Sequence, residues 1–258
     1  MQHTALLLVS FGTSRPDAFR REIEPTLDAL RTAAGDLPVY TAFTSPTIRR
    51  IWAGRGRALA SLPEAFGQML ADGVRRVYVQ PTHLIPGREY EKLCAEAEAF
   101  RPRLESLTLG RPLLKEGADL ARAASLLSAR FAPAPGRALV FLGHGTDHPA
   151  DLFYPALQTA FSALGRRDVL VGTVEGWPGF EELLAQIEAG GYASALLSPF
   201  LLVAGEHARQ DMGGEEPDSL ASLLRARGLR VECNFEGLGA FPEFRALYTE
   251  HLRALLEG

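Results

Sequence analysis

Two histidines and one glutamate follow predicted strands in the second half of this 258-residue chain. His144 stands in Gly-His-Gly-Thr directly after an apolar run, Glu175 follows a second run, and His207 lies beyond a third that ends at Pro199. Ligands of open α/β sheets bind beyond the carboxyl ends of the strands, so we expect these three side chains to lie together. Two imidazoles and one carboxylate suit a borderline divalent cation such as Co²⁺, Fe²⁺, Ni²⁺ or Zn²⁺.

Each of these residues also has a purely structural interpretation. A histidine after a strand is often a hydrogen-bonded loop residue, and Glu175 could be a solvated charge at the start of a helix. The remaining histidines predict no ligand set: His148 precedes a predicted helix, His83 lies in a loop, and His3 and His251 are expected at the surface.

A cluster of four arginines lies past the end of another predicted strand, in Arg49-Arg50-Ile-Trp-Ala-Gly-Arg55-Gly-Arg57. Guanidinium groups bind carboxylates and phosphates through paired hydrogen bonds. We therefore expect Arg49, Arg50, Arg55 and Arg57 to contact an acidic substrate. The alternative is the solvated face of an amphipathic helix.

The elements that must position these residues are apolar, β-branched runs that alternate with helical patterns. Most runs are almost continuously apolar, as expected when helices cover both faces of a sheet. The βαβα order, seen twice, predicts an α/β fold of two similar lobes, each a parallel sheet flanked by helices. The predicted strands are Ala5–Val9, Pro38–Thr44, Arg76–Gln80, Leu104–Leu109, Ala138–Leu142, Val169–Val174, Ala193–Pro199 and Leu229–Asn234. The predicted helices are Arg15–Ala33, Arg88–Phe100, Ala118–Phe131, Pro149–Leu164, Gly179–Glu188, Pro217–Ala226 and Phe241–Leu256.

The segment Phe131-Ala-Pro-Ala-Pro-Gly136 is the predicted boundary between the lobes, because its prolines and glycine break a helix before a new strand. This gives an N-terminal α/β lobe over residues 1–131 and a C-terminal lobe over 137–258 that carries the metal site. The sequence leaves open that the last helix packs on the N-terminal lobe.

The two halves resemble each other in sequence. Ala5-Leu-Leu-Leu-Val-Ser-Phe-Gly-Thr13 aligns with Ala138-Leu-Val-Phe-Leu-Gly-His-Gly-Thr146, which puts Phe11 opposite His144. Further alignments put Ser45 opposite Glu175 and Glu89 opposite His207. We therefore expect a pseudo-two-fold relation between the lobes, with metal bound in the C-terminal half alone. Glu89 would act near the substrate or its departing protons, or simply stabilise a helix start.

Composition and motifs exclude several function classes. With 27 basic and 31 acidic residues the net charge is −4, which argues against nucleic-acid binding. The sequence shows neither an apolar run of membrane-spanning length nor a secretory leader. It has no GxGxxG after a strand and no P-loop, so ATP and NAD chemistry is not expected. It also has no GxSxG elbow for a nucleophilic serine. Two widely spaced cysteines, Cys94 and Cys233, fit a reducing, cytoplasmic location.

Five motifs together resemble the anaerobic cobalt chelatases, that is, the sirohydrochlorin cobaltochelatases of the class II, ATP-independent chelatase family. The motifs span nearly the whole chain and are Leu8–Ser14, Pro81–Glu91, Gly143–His148, Val174–Pro178 and Pro199–Met212. The resemblance implies two similar lobes with a tetrapyrrole between them. It also implies that His144, Glu175 and His207 hold the metal and that His144 accepts a proton, while Glu89 is carried over as a crevice residue.

The expected activity is therefore that of a lyase of cobalamin and porphyrin biosynthesis, which inserts Co²⁺ into sirohydrochlorin and releases two protons. Two alternatives stay open: a sirohydrochlorin ferrochelatase of sirohaem synthesis, and a carrier of metal or tetrapyrrole without catalysis. The ligand types alone do not choose among Co²⁺, Fe²⁺ and Ni²⁺. A homo-oligomer is also left open.

Overall fold

The structure is a computed structural model that describes residues 3–258, and of His207 it describes the backbone but not the side chain. The strands are β1 (Thr4–Ser10), β2 (Val39–Phe43), β3 (Arg76–Pro81), β4 (Ser106–Leu109), β5 (Arg137–Gly143), β6 (Val169–Thr173), β7 (Ser194–Pro199) and β8 (Arg230–Cys233). The helices are α1 (Pro16–Ala18), α2 (Glu24–Ala33), α3 (Pro46–Gly54), α4 (Leu62–Ala71), α5 (Arg88–Glu98), α6 (Gly117–Arg130), α7 (Phe153–Ala163), α8 (Phe180–Ala189), α9 (Glu206–Gly213), α10 (Leu220–Ala226) and α11 (Pro242–Glu257).

The chain divides into two compact units, and both are α/β structures with a parallel four-stranded sheet. Unit 1 comprises Met1–Lys115 and Gly239–Gly258, with strand order β2-β1-β3-β4. Unit 2 is Glu116–Leu238, with strand order β6-β5-β7-β8. The predicted fold class is confirmed, and every predicted strand overlaps an observed one. The predicted strand Leu104–Leu109 begins two residues later in the structure, as β4 at Ser106.

Each sheet is covered by its own hydrophobic core. In unit 1 side chains such as Leu7 and Val79 pack with Phe66 of α4, and in unit 2 Val140 and Leu197 pack with Leu183 of α8. All of these side chains are fully buried. Burial on both sheet faces explains why the strands are continuously apolar in sequence.

The register of the central strands repeats between the units. In unit 1 Val9 of β1 pairs with Pro81 of β3, and in unit 2 Leu142 of β5 pairs with Pro199 of β7. Beyond each pair the next residue donates to the central strand at 2.8 Å, Thr82 to Val9 and Phe200 to Leu142. The backbone thus supports the alignment of the two halves up to the strand ends.

The observed division between the units places helix α6 differently from the predicted boundary, and it places α11 in unit 1, an arrangement that the sequence left open. Helix α6 precedes the Pro-rich loop yet belongs to unit 2, where it packs on α7 and buries Leu120 and Leu127. Helix α11 belongs to unit 1 and packs on α2. A helix-breaking segment marks the end of an element, whereas the apolar face of that element decides which core it joins.

Candidate metal centre

His144 and Glu175 emerge side by side from two neighbouring strands of unit 2. His144 directly follows β5, Glu175 lies two residues beyond β6, and the backbone N–H of Glu175 donates to the carbonyl of His144 at 2.8 Å. The distance from His144 Nε2 to Glu175 Oε2 is 3.6 Å, with 57% and 66% of the two side chains exposed. The predicted juxtaposition of these two residues is present in the structure.

Glycines on both sides of His144 permit the tight turn that exposes the imidazole. A Cβ at Gly143 would stand 2.0 Å from the ring of Tyr154, and one at Gly145 would stand 2.3 Å from the backbone nitrogen of Gly176. Gly145 also has φ +83°, a value that side chains disfavour. The sequence Gly-His-Gly is therefore a requirement of close backbone packing at this strand end.

The side chain of Tyr154 packs against this turn and forms a hydrogen bond with it. Its hydroxyl oxygen accepts a hydrogen bond from the backbone N–H of Gly145 at 3.4 Å. Burial raises the pKa of Tyr154 to about 12, so the hydroxyl stays neutral at physiological pH.

Sequence reasoning did not single out Asp151, which links the two loops of the site. Its Oδ1 accepts from the backbone N–H of Thr146 at 3.0 Å, and its Oδ2 accepts from that of Trp177 at 2.7 Å. Thr146 follows His144 by two residues and Trp177 follows Glu175 by two residues. The signal available in the sequence was an aspartate in the first turn after His148-Pro149.

The predicted third ligand, His207, lies in the first turn of α9, which begins after Gly205. Its side chain is outside the described part of the structure, so the three-residue set stays a prediction. Among the side chains that are described, no group of three histidines, cysteines or acidic residues is arranged to hold a metal ion.

The equivalent positions of unit 1 carry no comparable pair. The backbone N–H of Thr44 donates to the carbonyl of Ser10 at 3.0 Å, just as that of Val174 donates to the carbonyl of Gly143 at 3.1 Å in unit 2. The next residues of unit 1, Phe11 and Ser45, therefore occupy the positions that His144 and Glu175 have in unit 2. The side chain of Phe11 has no nitrogen, oxygen or sulfur atom that could bind a metal ion. Ser45 is the N-cap of α3, where its hydroxyl accepts from Ile48.

Glu89 lies in the first turn of α5, after the N-cap Gly87, much as His207 follows the N-cap Gly205 of α9. Glu89 is exposed. Both interpretations offered by the sequence, a group that acts on substrate and a charge that stabilises a helix start, remain predictions.

Three of the four arginines predicted to bind substrate are engaged within unit 1, whereas Arg50 is exposed and has no ion pair or side-chain hydrogen bond to the described residues. The partners are Glu64 for Arg49 at 3.7 Å, Glu24 for Arg57 at 3.0 Å, and the carbonyl of Ser14 for Arg55. Arg57 also lies over the ring of Phe19 at 4.5 Å. Substrate binding by this cluster stays a prediction, and Arg50 is its most available member.

Across residues 3–258 no helix combines the length and apolar character that crossing a membrane requires.

Comparison with known proteins shows which family the sequence matches. A family model described as cobalt chelatase (CbiK) matches residues 4–257. A sirohydrochlorin cobaltochelatase, CbiKC, of Nitratidesulfovibrio vulgaris is 36% identical, with 98% of this chain and 91% of the relative covered. A sirohydrochlorin cobaltochelatase of Salmonella typhimurium is 34% identical, with 98% and 96% covered.

Two solved structures share the fold at lower identity. SirB from Bacillus subtilis, solved with Fe³⁺, matches with a TM-score of 0.65 at 15% identity over 98% of this chain and 95% of its own. A multi-domain protein of Deinococcus radiodurans, described as structurally similar to chelatases, matches with a TM-score of 0.60 at 17% identity over 96% of this chain and 54% of its own. Because the family model spans nearly every residue and two relatives exceed 30% identity along almost their full length, the chain belongs to the CbiK family of cobalt chelatases.

Proposed function

We propose that this chain is a lyase that inserts Co²⁺ into sirohydrochlorin during cobalamin biosynthesis. Support comes from family membership and from the two relatives named sirohydrochlorin cobaltochelatase. The reaction exchanges two pyrrole N–H protons for one divalent cation, so charge balances without a nucleotide or a redox cofactor. The proposal therefore includes no ATP and no NAD.

The observation that carries the proposal is the distance of 3.6 Å between His144 Nε2 and Glu175 Oε2. Nitrogen and oxygen ligands stand about 2.0–2.2 Å from a borderline cation, so two donors on one ion are roughly 3–3.6 Å apart. The pair is thus already spaced for a shared ion. We propose His207, two residues beyond Gly205 on α9, as the third ligand.

An exposed, three-ligand site suits a metal that must be delivered. Structural sites surround their ion with four tightly held ligands, whereas sites with open positions admit another ligand. Here the entering ligands are the macrocycle nitrogens. As Co²⁺ transfers to them, His144 loses its metal and its freed imidazole can accept a pyrrole proton, because imidazole is the side chain that most often serves as a general base.

Sirohydrochlorin carries several carboxylates, and we propose that Arg50 binds one of them, because charge-assisted hydrogen bonds to guanidinium are strong. We also propose a cytoplasmic location, which the free thiols of Cys94 and Cys233 support.

The test is an insertion assay under anaerobic conditions with purified protein, sirohydrochlorin and Co²⁺, Fe²⁺ or Ni²⁺ offered separately. The change in the absorbance spectrum of the macrocycle reports metallation. We expect catalysed insertion of Co²⁺, near-complete loss in His144→Ala, and unchanged rates in His3→Ala, which removes an exposed histidine of unit 1.

Each rival function has its own signature in this assay. Catalysis with Fe²⁺ but not Co²⁺ would favour the ferrochelatase. Stoichiometric binding of metal or macrocycle without turnover, unaffected by loss of the imidazole base, would favour a carrier.

A further inference from the structure

We propose that Asp151 is a positioning residue that sets the spacing of His144 and Glu175 by holding both of their loops. This inference rests on the proposed function, since it assumes that these two side chains share a metal ion. Asp151 itself would touch neither metal nor macrocycle.

The contacts of Asp151 are divided evenly between the two loops. One oxygen accepts from Thr146, in the loop after β5, and the other accepts from Trp177, in the loop after β6. Beyond the end of β6 two backbone hydrogen bonds join the two segments, from Val174 N–H to the Gly143 carbonyl at 3.1 Å and from Glu175 N–H to the His144 carbonyl at 2.8 Å. The carboxylate of Asp151 therefore links the two loops at the point where the hydrogen bonds of the sheet end.

The carboxylate is held in place by its own surroundings. Asp151 lies in the short 3₁₀ helix Pro149–Leu152, whose start is capped by His148, since His148 Nδ1 accepts from the backbone N–H of Ala150 at 3.1 Å. The backbone of His148 in turn donates to the hydroxyl of Thr146 at 3.2 Å. These hydrogen bonds stabilise the turn that carries Asp151, so its carboxylate meets the two backbone N–H groups from a fixed position.

Gly176 shows how closely the second loop approaches this carboxylate. A Cβ at Gly176 would stand 2.2 Å from Asp151 Oδ1, inside any van der Waals contact. Glycine next to Glu175 thus lets the loop close on Asp151. Substitution of Gly176 should displace the carboxylate and loosen both hydrogen bonds at once.

The chemistry of the contact favours a carboxylate with two acceptor oxygens. An asparagine keeps one carbonyl oxygen and turns an N–H donor toward the other loop, so it satisfies one loop fully and the other poorly. An alanine leaves both N–H groups without this acceptor. When a residue that orients the metal ligands without touching the metal is removed, the metal affinity typically falls by roughly 10- to 100-fold.

The experiment measures Co²⁺ binding to the purified chain without macrocycle, by calorimetric titration and by the visible spectrum of bound Co²⁺. We expect the Kd to rise at least about tenfold in Asp151→Ala and by a smaller factor in Asp151→Asn. The matched control is Asp168→Asn, because Asp168 also uses both oxygens, on Arg166, and precedes β6 at the end opposite Glu175. The control should lose stability but keep the wild-type Kd and spectrum.

A double-mutant cycle with Gly176→Ala separates positioning from general destabilisation. If Asp151 mediates the effect, Gly176→Ala weakens Co²⁺ binding in the wild-type chain but adds little in the Asp151→Ala background. Additive losses, or losses in Asp151→Ala that match those of Asp168→Asn, would overturn the positioning role.

His144→Ala decides which proposal fails if Asp151→Ala binds Co²⁺ normally. When His144→Ala loses binding and Asp151→Ala does not, the positioning role is wrong and the metal centre stands. When both variants bind Co²⁺ with the wild-type Kd, the metal centre itself is wrong.

Discussion

His144 and Glu175 owe their proximity to the backbone rather than to attraction between their side chains. At 3.6 Å the two side-chain atoms are beyond hydrogen-bond distance, while the main chains are joined at 2.8 Å. Two exposed side chains on a fixed backbone can receive an ion without refolding. They can also release it without exposing a buried charge, which suits a metal that is passed on.

Arg50 offers the clearest residue-level test of substrate binding. Arg50→Gln should raise the KM for sirohydrochlorin several-fold with little change in kcat, because an exposed guanidinium stabilises bound substrate and transition state alike. The difference from wild type should shrink at high salt, where exposed charges are screened. Arg253→Gln, an exposed arginine on α11, is the control. Equal KM values in the two variants would place carboxylate binding elsewhere.

His83 predicts a dependence of stability on pH. Both of its ring nitrogens are buried without a hydrogen-bond partner among the described residues, and burial lowers the pKa of His83 to about 4. An unfolded histidine has a pKa near 6.5, so between pH 6.5 and 4 the unfolded chain takes up a proton that the folded chain excludes. The free energy of unfolding should therefore fall on acidification, by at most roughly 3 kcal/mol.

Urea unfolding at several pH values checks this expectation. His83→Leu should flatten the curve of stability between pH 6.5 and 4, while His3→Leu, which replaces an exposed imidazole, should leave it parallel to wild type. Parallel curves for wild type and His83→Leu would contradict the neutral, buried state of this ring.

At the scale of elements, strand ends were the most predictable feature and helices the least. The runs before His144 and Glu175 are unmistakable because parallel strands are apolar on both faces, and the neighbouring glycines mark the turns. The two side chains could therefore be paired from sequence alone. The contact of Asp151 could not, because it depends on how two loops approach each other.

The missed helices α3, α4 and α9 are short, and two of them carry start signals. Ser45-Pro46 and Ser61 with Glu64 are N-caps, the second a full capping box. The predicted helix Arg15–Ala33 is instead interrupted by a π-helical segment at Phe19–Ile23. Pro25 has no N–H for the regular ladder, and a π turn accommodates such an interruption.

Helix α5 carries the test for Glu89. If Glu89 acts on the substrate, Glu89→Gln lowers kcat and leaves both stability and Co²⁺ affinity unchanged. If it stabilises the helix start, the substitution costs about 0.3–1 kcal/mol of stability and kcat stays constant. Glu91→Gln, in the same first turn, is the control for the helix effect. A loss of stability that is equal in both variants, with wild-type kcat, would contradict a role in the reaction.

At the scale of the whole chain, unit 1 is completed by a segment that returns after unit 2. Tyr248 of α11 is fully buried and donates to the carbonyl of Thr82, just past β3, at 2.9 Å. Burial raises the pKa of Tyr248 well above its usual value. The returning helix is therefore fastened to the start of the loop that leads to α5.

Tyr248→Phe should lower the free energy of unfolding by about 1–3 kcal/mol, because a buried carbonyl loses its donor. Tyr192→Phe is the control: its hydroxyl donates to the Arg167 carbonyl at 3.0 Å in a more exposed setting, and its loss should cost less. Chemical denaturation of both variants provides the measurement. Equal effects would contradict the importance of this buried contact.

The repeated sheet does not imply a repeated site. At the strand ends of unit 1, Phe11 and the capping Ser45 stand where unit 2 has an imidazole and a carboxylate. A borderline cation is bound by nitrogen, sulfur and carboxylate ligands, so unit 1 lacks the means to hold it at this place. We therefore expect one Co²⁺ for each chain.

The most direct test of the metal centre is anomalous diffraction at the cobalt absorption edge from crystals soaked in Co²⁺. We expect one strong peak for each chain, about 2.0–2.2 Å from His144 Nε2 and from a Glu175 oxygen, with His207 as the third ligand. A peak on other residues, or bound cobalt that leaves His144 and Glu175 without contact, would contradict the proposed metal centre.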